Sequence, residues 1–174
     1  RLRRQVCNYR SVTLGGKKVK FELVSEDDQA DPKIATQIAQ RMVDGKIAAM
    51  IGHLNSGTTI PSSKIYADAG IPQVSPSATN PAYTQQGFKT AFRVIPNDIQ
   101  QGKASGDFAV DVLKAKKIAI IDDRTAYGQG LADEFEKAAK AKGATIVKRE
   151  FTTNNATDFM AILTAIKGAK PDVI

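Results

Sequence analysis

The sequence has one cysteine and one histidine in 174 residues, and these shortages exclude several chemistries. Cys7 has no partner for an internal disulfide, and no Cys/His pair is available to hold zinc. A Ser–His–Asp hydrolase would have to rest on His53. Ser56 lies close by, but Gly52-His53-Leu54 is not a Gly-x-Ser-x-Gly elbow, and a histidine after a buried strand reads as structural. No run approaches the roughly 18 apolar residues of a membrane span. Acidic residues are missing from positions 1–20, which hold Arg1, Arg3, Arg4, Arg10, Lys17, Lys18 and Lys20. Taking those seven from the 25 basic residues leaves 18, against 18 acids, so the net charge of +7 is confined to one end. A nucleic-acid-binding domain needs a basic stripe across its folded surface, so nucleic acid is not an expected partner. Arg1–Leu14 shows no clean periodicity, and it lacks the apolar centre and small-residue cleavage pattern of a secretory signal.

What remains is an ordinary globular composition, 42% hydrophobic and 25% charged, long enough for one domain or two small lobes. Lys17–Ser25 alternates and predicts a strand. Asp31-Pro32 predicts a helix start, with the aspartate as cap and proline in the first turn; Ile34, Ile38, Met42 and Val43 follow at helical spacing, and Gly45 stops it. Ile47–Ile51 predicts a short strand buried on both faces. A helix capped by Ser56 or Thr58 and closed by Gly70 comes next, then strands over Ile71–Ser75 and Ala91–Val94. Beyond Pro96-Asn97-Asp98 the alternation restarts: helix to Leu113, strand Lys117–Ile121, helix Tyr127–Lys142, strand Thr145–Phe151, and a helix opened by Thr157 or Asp158. Pro171–Ile174 begins a last strand, and the chain reads as incomplete at both ends. Strand and helix in alternation argue for an α/β fold with parallel sheets flanked by helices. The expected division is a basic terminal segment 1–14, a first lobe 15–95 and a second, partial lobe 96–174.

The segment Ile47–Pro81 concentrates the candidate chemistry. Two polar turns, Asn55-Ser56-Gly57-Thr58-Thr59 and Ser75-Pro76-Ser77-Ala78-Thr79-Asn80, each follow a strand and offer hydroxyls and bare N–H groups. Ligands of open parallel sheets bind at the carboxyl ends of strands, and a helix N-terminus favours a carboxylate. Ser56 and Thr79 are therefore candidate anion ligands, or else plain cap and turn residues. Glu26-Asp27-Asp28 lacks the spacing and glycine of a calcium loop. Asp122-Asp123 after an apolar strand is compatible with a phosphoacceptor pocket, although the next strand ends in Thr-Thr-Asn-Asn without a second aspartate. Tyr127-Gly128-Gln129-Gly130 lacks the third glycine of a dinucleotide fingerprint, Asp133 standing there. Tyr127 could cover a ligand or simply face solvent.

Three ordered runs, IGHLNSGTTIPSSKIYADAGIPQVSPSATNP, FRVIPNDIQQGKA and IAIIDDRTAYGQGLADEFEKA, resemble the periplasmic leucine/isoleucine/valine-binding proteins of ABC importers, over about Gly16 to Ile174. The resemblance implies the type I periplasmic binding fold, a small amino acid as ligand, a membrane permease as partner, a periplasmic location, and neither catalysis nor a cofactor. It further implies that Ser56 and Thr79 hold the ligand carboxylate. In the Ser77-Ala78-Thr79 turn, the Ser77 carbonyl would take the ammonium, helped by Thr79, and Tyr127 would close from the second lobe. Ala30 and Asn55 stand where some relatives bridge two cysteines. The same fold also serves ligand-sensing domains of receptors and regulators.

Overall fold

The computed structural model describes residues 11–153 and 155–174. The reading of the basic arm falls largely on Arg1–Arg10, outside them. The first element is a hairpin, β1 (Ser11–Leu14) against β2 (Lys17–Lys20), antiparallel. Its two-residue turn is Gly15-Gly16, both at positive φ (55° and 79°), a backbone that glycine adopts without steric penalty. The strand expected over Lys17–Ser25 thus stops at Lys20. Alternation alone does not make a strand: Phe21, Leu23 and Val24 are all exposed, and no described strand pairs with them.

Helix α1 (Pro32–Asp44) forms where expected. Asp31 accepts from the N–H groups of Lys33 and Ile34, which would otherwise lack partners, and Pro32 has no N–H to satisfy. Ala35, Ile38, Ala39 and Met42 form its buried face, and the last three pack with Tyr66 and Ile71 in the first core. Strands β3 (Met50–Ile51), β4 (Gln73–Ser75) and β5 (Ala91–Arg93) make a parallel sheet in that order. Between them run α2 (Ser56–Asp68) and the short α3 (Ala82–Gln85), which sequence periodicity did not reveal. The expected strand over Ile47–Ile51 shrinks to two residues, and Ile51 is 80% exposed rather than buried on both faces.

The chain crosses once from this sheet to the second, between Arg93 and Asp98. Asn97 caps α4 (Asp98–Asp107) with a reciprocal bond to Gln100, and a π-helical turn over Phe108–Val112 completes the expected helix. Strands β6 (Lys117–Asp122) and β7 (Thr145–Phe151) pair in parallel around α5 (Ala126–Ala141). After α6 (Met160–Ala169), Val173 bridges Ile118 on the other side of β6. The second core is alanine-rich, built from Ala109, Ala115, Ile118, Ile120, Ala132, Ala139 and Ala144. Small residues let α4 and α5 approach closely: a Cβ on Gly102 would lie 2.7 Å from Glu134 Cβ, and one on Gly106 2.8 Å from Ala138 Cβ. The expected α/β fold with parallel sheets is the fold observed, with the hairpin as its antiparallel exception.

Candidate functional site

The two polar turns meet. A cleft of about 400 Å³ is lined by Leu54, Asn55, Ser56, Ser77 and Thr79 from the first sheet, Ile95 from the crossing segment, and Tyr127 from α5. That volume suits a small ligand. Four of the five candidate residues are brought together: Ser56, Ser77, Thr79 and Tyr127. Ala78 does not line the cleft. It is buried behind the second turn, where its N–H donates to Ser75 Oγ at 2.9 Å. Two larger hollows adjoin it: one, apolar, against β6 and α5 shares Tyr127, and the other, beside Asp28 and His53, shares Leu54 and Asn55.

Neither Ser56 nor Thr58 caps α2, contrary to the sequence reading. Asn55 occupies the cap position with extended backbone and makes no side-chain cap bond, so Ser56 becomes the first helical residue. Thr58 Oγ1 instead donates back to the Asn55 carbonyl at 3.0 Å. Helices α1, α4 and α5, by contrast, each begin with a side-chain cap. At α2 the N–H groups of Ser56 and Gly57 have no acceptor among the described residues, and they carry the positive end of the helix dipole. Ser56 Oγ accepts from the Asn80 N–H at 3.1 Å, which leaves its own proton free to donate. The cleft therefore presents donors in search of an anion.

The turns are wired together behind the cleft. The His53 carbonyl accepts from Ser75 Oγ at 2.9 Å and from Thr59 Oγ1 at 3.1 Å, and Ser75 Oγ in turn accepts from Ala78 N–H. His53 is 5% exposed and its ring is spent on structure: Nδ1 meets Asp28 Oδ2 at 2.6 Å and Nε2 meets the Tyr66 hydroxyl at 3.2 Å. Burial tends to raise the Asp28 pKa, but hydrogen bonds from His53 and the Ala30 N–H outweigh it and hold the carboxyl below its usual range. Burial pushes the Tyr66 phenol up, and the Asp28 charge adds to the shift. This pairing ties the loop before α1 to the end of β3.

Asp98 is the exception to this orderly pairing. It is fully buried at the start of α4; its N–H donates to the Thr79 carbonyl at 2.9 Å, while neither carboxylate oxygen reaches good hydrogen-bond geometry. Burial pushes its pKa up, against the opposing pull of the nearby Thr79 hydroxyl and Arg93 guanidinium.

Helix α5, beside the second sheet, supplies Tyr127, its second residue. Thr125 caps that helix by accepting from Gly128 N–H at 2.9 Å, and Asp123 holds Thr125 through its N–H and hydroxyl. The phosphoacceptor reading of Asp122 meets an occupied carboxylate. Asp122 is 4% exposed, with Oδ2 held by Arg149 Nε and Nη2 at 3.3 and 3.1 Å, and Oδ1 accepting from Arg124 N–H. Sequence reasoning missed Asn80, which joins the two turns to α5. Its one local signal was an Asn-Pro pair, and that marks only a turn.

Comparison with known proteins agrees with this architecture. A family model for periplasmic binding proteins matches residues 11–174. A Leu/Ile/Val-binding protein homolog of Brucella abortus is 41% identical over 155 residues, covering 89% of this chain and 42% of the relative. The crystal structure of the leucine binding protein LivK of Thermotoga maritima superposes with a TM-score of 0.88 at 30% identity, covering 97% of this chain and 48% of that one. A solute binding protein of an ABC transporter from Rhodopseudomonas palustris, solved with benzoate, gives a TM-score of 0.80 at 28% identity, over 92% of this chain and 44% of that one. The chain thus spans less than half the length of these relatives. These relatives are binding proteins and not enzymes, and the chain belongs to the periplasmic binding protein family.

Proposed function

We propose that the chain forms the carboxylate- and amine-holding part of the substrate-binding component of an ABC importer. It would take up a leucine-, isoleucine- or valine-like amino acid in the periplasm and present it to a membrane permease. The observation that carries the reading is the uncapped start of α2 in a cleft that also holds Ser77, Thr79 and Tyr127. The bare N–H groups, the free Ser56 proton and the Thr79 hydroxyl suit the ligand carboxylate. The Ser77 carbonyl suits the ammonium, and hinge motion at Arg93–Asp98 would bring Tyr127 down as a cover. The Brucella and Thermotoga relatives carry leucine in their names, which supports the choice of ligand.

The benzoate-bound neighbour favours one alternative, a ligand with a carboxylate and no amine. The two are separated by titrating the protein expressed from its whole reading frame with leucine, with 4-methylpentanoate (the same acid without its amine) and with benzoate. Leucine should bind at least about tenfold more tightly than its deaminated analogue, the value of one charge-assisted hydrogen bond. Equal affinity would remove the amine half of the reading, and unchanged leucine affinity in Thr79→Val would remove Thr79 from the site. A sensor role for the same cleft predicts the same affinities, and differs in showing no transport defect on deletion.

A further inference from the structure

Every polar group of Asn80 is engaged. Its N–H donates to Ser56 Oγ at 3.1 Å, and its carbonyl accepts from Arg93 Nη1 at 3.1 Å. Its side-chain oxygen accepts from Ala82 N–H at 2.9 Å, and its side-chain nitrogen donates to the Ala126 carbonyl at 2.6 Å. The first three partners lie on the first sheet and its helices. Ala126 opens α5 in the second lobe and immediately precedes Tyr127. One side chain therefore spans the two lobes beside the cleft without lining it.

The approach needs a glycine on α5. A Cβ at position 130 would lie 2.6 Å from Asn80 Nδ2 and 3.5 Å from Asp98 Oδ2, so any larger residue there pushes helix and turn apart. The other glycine of the pair clears a different contact, since a Cβ at position 128 would run into Asp123 Oδ1 and lie 3.3 Å from Thr125 Oγ1, the two groups that start the helix. The Gly-x-Gly of this chain thus serves close packing, and no phosphate is needed to account for it. The Ala126 carbonyl, already part of the first helical turn, has a second lone pair to receive the Asn80 amide.

We propose that Asn80 is an interlobe latch, a positioning residue whose amide holds the start of α5 against the second turn and so sets where Tyr127 stands over the cleft. The latch stands on the geometry alone; only its consequence for a ligand rests on the amino-acid reading above.

Nitroxide pairs test it in this chain. Labels at Lys64→Cys on α2 and Lys137→Cys on α5, both exposed, with Cys7→Ser, report the distance between lobes by double electron–electron resonance. Asn80→Asp keeps the oxygen that caps Ala82 but loses the donor to Ala126. It should shift or broaden the distance by about 2 Å or more, the scale of ordinary loop and domain rearrangements, with helix content unchanged by circular dichroism. Gly130→Ala should do the same from the opposite side, and it decides the matter if the aspartate variant fails to fold. Distributions from the folded variants that superimpose on the parent's would overturn the latch. Distances that change while leucine binds none of the proteins, including the whole-frame parent, would uphold the latch and sink the amino-acid reading.

Discussion

Replacing glycine by alanine should have opposite signs at two places in this chain, and the difference is set by what a methyl group would meet. Within a helix the substitution is worth about 0.8–1.0 kcal/mol in favour of alanine, because glycine loses more backbone freedom on folding. At Gly168 on α6 no atom lies within 4 Å of the new Cβ, so that gain is unopposed and stability should rise by about 0.5–1 kcal/mol. At Gly102 on α4 the new Cβ falls 2.7 Å from Glu134 Cβ and 2.8 Å from both the Glu134 carbonyl carbon and the Phe135 nitrogen. Two of those three atoms are backbone, which cannot swing aside, so α5 must move. Overpacking of that kind costs about 1–3 kcal/mol, and set against the helix gain it leaves a net loss of up to about 2 kcal/mol. Equilibrium urea unfolding of the two variants and the parent reads both signs. If Gly102→Ala is stabilised as much as Gly168→Ala, the close packing of α4 on α5 is wrong, and with it the account of how α5 is placed.

Asp98→Asn should change how stability depends on pH. Because the folded pKa of Asp98 is raised, the folded state binds more protons than the unfolded chain between the ordinary and the raised value, and wild-type stability falls as pH rises through that window. The asparagine variant lacks this loss, so its stability relative to wild type should climb in thermal scans as pH rises above the ordinary aspartate range; a constant difference would show that Asp98 does not titrate as its burial implies. Arg149→Met leaves Asp122 buried without its partner and should cost about 3 kcal/mol in urea unfolding, near the low end for breaking a buried pair. A change below about 0.5 kcal/mol, as for an exposed pair, would contradict the geometry.

Helices with local signals were legible. Asp31-Pro32, Gly45 and Asn97 bracket helices where the sequence puts them, because a cap or a stop is decided by neighbours within a turn. The errors fall where a distant partner decides. Phe21, Leu23 and Val24 alternate as a strand should, but pairing stops at Lys20. Gly15-Gly16 was a readable hairpin signal, although the strand before it carried no pattern. Helix α2 turns a hydroxyl face inward (Ser56, Thr58, Thr59, Ser62 and Ser63), so polarity hides its buried side. That face explains why the caps were misread: residues suited to capping were committed to other bonds. Ser56 and Thr79 were candidates from the two hydroxyl-rich turns, Tyr127 from its place at a helix start and Ser77 from the resemblance, and one cleft brings the four together. Asn80 was not legible, because its donor reaches a carbonyl 46 residues away.

The same geometry limits how tightly this chain can hold a ligand. Of the residues lining the cleft, Tyr127 alone comes from beyond the crossing segment. On the proposed reading, three charge-assisted bonds, to the α2 start, Thr79 and the Ser77 carbonyl, would contribute about 1.5–3 kcal/mol each, hence about 4.5–9 in all. Burying an aliphatic side chain adds about 1.5–3 kcal/mol, but only where the walls enclose it. Association costs at least about 4 kcal/mol, and an open side lets water weaken every bond. Without an enclosing wall the remainder, about 0.5–5 kcal/mol, falls short of the roughly 8 kcal/mol that micromolar binding requires. Leucine should therefore bind the 174-residue chain with a Kd near or above millimolar by calorimetry, and extension of the second lobe should tighten it. Micromolar binding by the chain alone would mean that the start of α2 and the second turn hold the ligand without closure, and the hinge would then have no part in affinity.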